Sequence, residues 1–134
     1  MLSPQDYAVK FDDHFGKLLG LKLVSISPDE CLYEYNPTDE HHNPNGVLHG
    51  GALYSAMDSC QGALVHFTLD WDIENGTTAE STIRYRRPHR LGPIAIRSRI
   101  VERKRKIVYV ETFAHNEPGE LLAELHEKWM LLSK

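Results

Sequence analysis

The sequence predicts an α+β domain in which a single curved sheet wraps around one long central helix. Two observations carry this expectation. A helical pattern runs from Gly50 to about Leu69, with Leu53, Met57, Cys60, Leu64 and Phe67 in one apolar stripe and Ala56 and Ala63 beside it. Segments that read as strands lie on both sides of it in the chain. The helix is also rich in small residues (Gly51, Ala52, Ser55, Ala56, Ser59, Gly62 and Ala63), which let strands come close to its axis.

Taken in order, residues 5–19 place Tyr7, Phe11, Phe15 and Leu18 at helical spacing, and Gly20 suits the end of that helix. Segments 21–27 (LKLVSIS) and 31–36 (CLYEYN) alternate apolar and polar residues around the turn SPDE, the pattern of a hairpin. Residues 37–46 (PTDEHHNPNG) are crowded with Pro, Asn and Gly and form an irregular loop. After the central helix and the break WDIENG come four strands, 77–88, 93–104, 106–116 and 121–132, with RLGP and EPGE among the turns. Composition alone would also allow a helix over 121–132, and context makes it a strand.

Composition narrows the functional classes. A chain of 134 residues fits one domain over 1–134, and 41% hydrophobic residues give a modest core that oligomerisation would help to cover. No apolar run approaches the roughly 18 residues needed to span a bilayer. The first residues mix acids and aromatics rather than forming a signal peptide. Cys31 and Cys60 lack CxxC spacing and read as reduced, buried thiols of a cytoplasmic protein. The net charge of −4 offers no global field for nucleic acid. Local charge differs: Arg84, Arg86, Arg87, Arg90, Arg97, Arg99 and 103–106 (RKRK) concentrate basic residues in one stretch. That stretch suits either an anionic ligand or a solvated strand face.

The chemistry is concentrated in residues 43–58, NPNGVLHGGALYSAMD. Two glycines before a helix leave its first N–H groups accessible. Those groups have no intrahelical acceptor and sit in the positive potential of the helix dipole, where a carbonyl oxygen gaining negative charge is stabilised. Asp58 lies two turns further along, on the line Tyr54, Asp58, Gln61, Val65 beside the apolar stripe. A carboxylate there is partly desolvated and suited to act as general base or nucleophile, or to pair with an Arg of a neighbouring strand.

This stretch resembles the signature of hotdog-fold thioesterases of the phenylacetic acid degradation (PaaI-like) type. The pattern is Asn, a short loop, Gly, two residues, HGG, six residues and an acid, here Asn43, Gly46, His49, Gly50, Gly51 and Asp58. The segment TTAESTIRYRRP resembles the family's third strand, and the element order agrees over essentially the whole chain. The resemblance implies a hotdog fold, with a curved antiparallel sheet around the central helix, and hydrolysis of acyl-CoA. It assigns Asp58 as general base or nucleophile, the Gly50 N–H and the Asn43 amide as partners of the carbonyl oxygen, and Thr78 as a residue that orients water. His49 would shape the loop more than move protons. The site would cross a dimer interface, so a homo-oligomer is expected, a dimer or a dimer of dimers (homotetramer).

Substrate contacts are expected from His49, Gly51 and Gln61, and from Arg86, Arg87 and Arg90 toward the coenzyme A phosphates. The eight histidines form neither HExxH nor a Cys/His pair at zinc spacing, so no metal and no cofactor is expected. Aromatics interleaved with the basic residues are too few for a nucleic-acid platform. The alternative to an enzyme is a non-catalytic hotdog module that binds or senses acyl-CoA or another acyl ligand. Asp58, Asn43 and Gly50 together favour the enzyme, because a binder has no need of a placed carboxylate. The acyl group is left open among aryl, short-chain and medium-chain.

Overall fold

In the computed structural model, which describes residues 3–69 and 74–133, the chain runs α1 (Pro4–Phe11), α2 (His14–Leu19), β1 (Lys22–Ile26), β2 (Glu30–Tyr35), a 3-10 turn (Asp39–His41), α3 (Gly50–Thr68), β3 (Glu74–Tyr85), β4 (Ile94–Lys104), β5 (Ile107–Asn116) and β6 (Leu121–Ser133). Residues 71–73 of the WDIENG break lie outside the described residues. All pairings are antiparallel, in one six-stranded sheet of order β1-β2-β4-β5-β6-β3. The expected sheet around a central helix is present, and 121–132 is strand.

The helix α3 is embedded rather than laid on the sheet. Its stretch Cys60–Val65 is buried without interruption, although only part of it is strongly apolar. Small residues make this approach feasible. A methyl group on Gly62 would stand 3.3 Å from the Trp129 ring, and one on Gly76 of β3 would stand 2.9 Å from Val65 Cγ1. The strands answer with strict alternation: Leu125, Glu127, Trp129 and Leu131 of β6 are buried, while Met130 and Leu132 are exposed on the other face. No helix among the described residues is long and apolar enough to cross a membrane.

The N-terminal segment departs from expectation. Residues 5–19 form two helices, broken where Asp12 adopts φ 45° and the Asp13 side chain accepts the Gly16 N–H at 2.9 Å. An aspartate that caps a new helix from its own side chain competes with continuation of the old one. Tyr7 is buried and donates to the Ala63 carbonyl at 2.7 Å, whereas Leu18 is 78% exposed. Gly20 ends α2 in the left-handed conformation, as expected.

Candidate active site

Two polar centres flank α3, one at its N-terminus and one at mid-helix. At the N-terminus, His49 is the N-cap, and its Nδ1 accepts the Gly51 N–H at 2.8 Å. His49 therefore shapes the turn. Its backbone N–H donates to the His41 carbonyl, and that of Leu48 donates to the His89 carbonyl. With Gly51 taken by the His49 ring, the Gly50 N–H is the first-turn donor left for an incoming acceptor. Both glycines sit close to neighbouring rings: a Cβ on Gly51 would lie 3.0 Å from the imidazole, and one on Gly50 would lie 3.1 Å from the Tyr85 phenol, so either ring would have to give by a few tenths of an ångström. Tyr85 donates to the Gly50 carbonyl at 2.7 Å, and its burial holds its pKa above the ordinary phenol value.

Asn43 precedes this turn. Its Oδ1 accepts the N–H groups of Asn45 (2.9 Å) and Val47 (3.3 Å), closing an Asx-type loop that Gly46 completes at φ 77°. The loop occupies the oxygen end of the amide and leaves Nδ2 as the donating end. An open cleft of about 360 Å³ adjoins, lined by Leu48, Gly50, Leu53, Tyr85 and residues 86–89 (RRPH).

At mid-helix, Asp58 is half-buried, and Thr78 Oγ1 donates to its Oδ1 at 3.1 Å. A β-bulge makes this contact possible. Thr78 pairs with Trp129 and Glu80 with Lys128, so Ala79 is the extra residue in β3. In a regular strand Thr78 and Ser81 would point to opposite faces. The bulge turns both toward α3. Ser81 there meets Glu127, which is 3% exposed on β6. Glu127 Oε2 accepts from Ser81 at 2.5 Å and from the Tyr54 hydroxyl at 3.0 Å. Burial, then the neighbouring Asp58, push its pKa up to about 8 against the opposing pull of the two hydroxyls.

Gln61 does not belong to a substrate pocket, and that expectation is corrected. It is fully buried, its Nε2 donates to the carbonyls of Val110 and Leu125, and its Oε1 accepts from Trp129 Nε1 at 2.9 Å. Its polar groups thus tie α3 to β5 and β6. The three arginines lie at the sheet's end. Arg86 pairs with Glu124 and Arg87 with Glu120, both at 3.1 Å, and the Arg90 carbonyl accepts from His42 Nε2. Further along the basic stretch, Arg97 pairs with Glu30 and Arg99 with Glu111, a solvated ion-pair face. Cys31 and Cys60 are both free and buried.

The sequence reading missed Glu127, Ser81 and the hydroxyls of Tyr54 and Tyr85. One signal for Glu127 was available: on β6 it occupies the same alternation phase as Leu125, Trp129 and Leu131, where an acid is out of place.

Human acyl-coenzyme A thioesterase 13 is 26% identical over 114 residues, spanning 83% of this chain and 80% of that protein. A mutant of the Pseudomonas aeruginosa thioesterase PA1618 superimposes with a TM-score of 0.92 at 16% identity, covering 100% of this chain and 96% of that one. The Escherichia coli PaaI protein of the phenylacetic acid degradation operon gives 0.86 at 17% identity, with coverages of 94% and 89%. These structures share the fold, and the thioesterase superfamily model matches residues 45–123. With its curved antiparallel sheet closed around α3, the chain belongs to the thioesterase superfamily and is a hotdog-fold thioester hydrolase.

Proposed function

We propose that the chain hydrolyses acyl-CoA to a carboxylic acid and coenzyme A, with Asp58 as general base. The observation that carries this reading is a half-buried carboxylate fixed by Thr78, on the same helix whose N-terminus presents the Gly50 N–H. Asp58 takes a proton from water as the water oxygen bonds to the thioester carbon. The Gly50 N–H and Asn43 Nδ2 stabilise the oxyanion. Collapse of the adduct breaks the C–S bond, and the proton leaves with the thiolate. A thioester carbonyl is weakly resonance-stabilised and a thiolate departs readily, so this short list of groups suffices. Thr78, donating to Asp58, retains lone pairs that can accept from the attacking water.

Gly50 and Asp58 are eight residues apart, about 12 Å along a helix rising about 1.5 Å per residue. Asp58 is also absent from the described lining of the Gly50 cleft. Direct attack within one chain is out of reach, and a water relay would have to lie fully extended along the helix. A second copy supplying Asn43 and Gly50 to Asp58 removes the difficulty. The exposed apolar residues Tyr109, Met130 and Leu132 and the unpaired edge of β3 are consistent with a homo-oligomer. Arg86 and Arg87 line the cleft, Arg90 lies beside Gly46 of the adjoining loop, and the three supply cations for the coenzyme A phosphates.

Thiol release measured over aryl, short-chain and medium-chain acyl-CoAs tests the reading. One preferred acyl class, with turnover lowered by roughly 10² or more in Asp58→Asn, is the expected result. Negligible turnover across the panel with retained acyl-CoA binding would instead establish an acyl-ligand-binding module.

A further inference from the structure

Glu127 is buried in a way that an ionised carboxylate tolerates poorly. It stands on the helix-facing side of β6 between Leu125 and Trp129. Its Oε2 is well served by Ser81 and Tyr54, whose own hydroxyls lie 2.8 Å apart. Its Oε1 is equally buried and meets no donor among the described residues. A charge left with half its lone pairs unsatisfied is costly. The group it faces is Asp58, one helical turn after Tyr54 and itself acceptor-only when ionised. Two carboxylates in contact cannot hydrogen-bond to each other, but a single proton between them makes the bond.

We propose that Glu127 is a positioning residue of the thioesterase site: it remains a neutral acid, Tyr54 and Ser81 clamp its Oε2, and its Oε1–H donates to the Asp58 carboxylate. The proton belongs on Glu127 rather than on Asp58 because Glu127 is the more deeply buried of the two. Burial and the adjacent Asp58 raise its pKa to about 8, so it keeps the proton at neutral pH. The groups facing it are Tyr54 and Asp58 from α3 and Ser81 from β3, while Val110, its partner on β5, is apolar. Tyr54 is shifted above the ordinary phenol value, chiefly by burial, so Glu127 alone among the clamp groups titrates near pH 8. With Thr78 on one side and Glu127 on another, Asp58 is held from two directions, and its free lone pair is aimed at water. The Glu127 proton is not transferred during turnover.

This assignment rests on Asp58 being the acting carboxylate, and the test separates the two claims. The kcat for one acyl-CoA is measured from pH 5.5 to 9.5 for wild type, Glu127→Gln, Glu127→Leu and Asp58→Asn. Wild-type kcat should fall at least about 10-fold through an alkaline limb near pH 8, as the donor is lost and a second negative charge appears. In Glu127→Gln, whose amide donates at every pH, that limb should vanish while kcat at pH 7 stays within about 3-fold. Glu127→Leu should lose roughly 10-fold to 100-fold in kcat with KM nearly unchanged. A wild-type limb persisting in Glu127→Gln would overturn the proposal, and because this variant is near-isosteric it decides the matter even if Glu127→Leu fails to fold. Wild-type turnover by Asp58→Asn would overturn the Asp58 reading itself. An inactive Asp58→Asn, with Glu127→Gln superimposing on wild type, would remove only the role of Glu127.

Discussion

Subunit complementation tests the cross-chain site most directly. Asp58→Asn removes the base and should lower kcat by roughly 10² or more. Asn43→Ala removes one partner of the oxyanion while leaving the Gly50 N–H, and should lower it by roughly 10-fold to 10³-fold. If each site takes Asp58 from one chain and Asn43 with Gly50 from the other, a mixed dimer contains one site with both residues intact and one with neither. Random reassortment of equal amounts makes about half of all dimers mixed, and the isolated mixed dimer, with one working site of two, should recover about half of wild-type turnover. The variants carry different affinity tags, are mixed through mild denaturant, and the doubly tagged species is assayed by thiol release. The roughly 12 Å between Gly50 and Asp58 along α3 is the basis of this expectation. Doubly tagged dimers no more active than the average of their parents would refute it and return both residues to a single chain.

Three further outcomes are expected. A single turnover in ¹⁸O-labelled water should put the label into the released acid and none into Asp58, as a general base requires, and labelled Asp58 would make it the nucleophile. Charge reversal at Arg86, Arg87 or Arg90 should raise KM for acyl-CoA several-fold and leave a thioester lacking the nucleotide nearly unaffected, whereas equal losses on both would mean that these residues hold the fold, Arg86 and Arg87 through their pairs with Glu124 and Glu120. Gly76→Ala should lower stability by about 1–3 kcal/mol in urea titration, because its new methyl is forced to 2.9 Å from Val65 with Trp129 at 3.5 Å behind it.

The fold was legible where side-chain period and chain order agree. Small residues on α3 announced close strand approach, and alternation in β4 and β5 announced one buried face. The N-terminal break was not legible in this way, because Asp12 and Asp13 sit within a pattern whose apolar residues keep helical spacing, and only side-chain capping separates the two helices. At the site, the geometry carried by short-range spacing could be read: His49, Gly50 and Gly51 make the turn, and Asp58 follows two turns later. What depended on sheet register could not. The bulge at Ala79 brings Thr78 and Ser81 to one face, and nothing in TTAESTIRYRRP marks it. Gln61 was misplaced for a related reason. A polar residue beside an apolar stripe reads as a pocket wall until the carbonyls of Val110 and Leu125 are seen to surround it.

A neutral Glu127 also predicts how stability should vary with pH, independently of turnover. In the unfolded chain its carboxyl returns to about 4.3, while in the fold it stays protonated to about 8. Between these values the native state binds more protons than the unfolded one, so this group's contribution must fall as pH rises. It is complete below the unfolded pKa and lost as pH passes through about 8. Asp12 and Glu124 are shifted the opposite way, by Lys17 and Arg86 respectively, and their contributions are lost only in acid, as pH falls through the lowered carboxylate range. The informative quantity is the difference between wild type and Glu127→Gln. Urea midpoints at pH 5.5, 7 and 8.5 should fall more steeply for wild type, with Glu127→Gln gaining relative stability at each step. Parallel curves would mean that Glu127 is already ionised in the fold at pH 5.5, and that something other than a proton reconciles its Oε1 with Asp58.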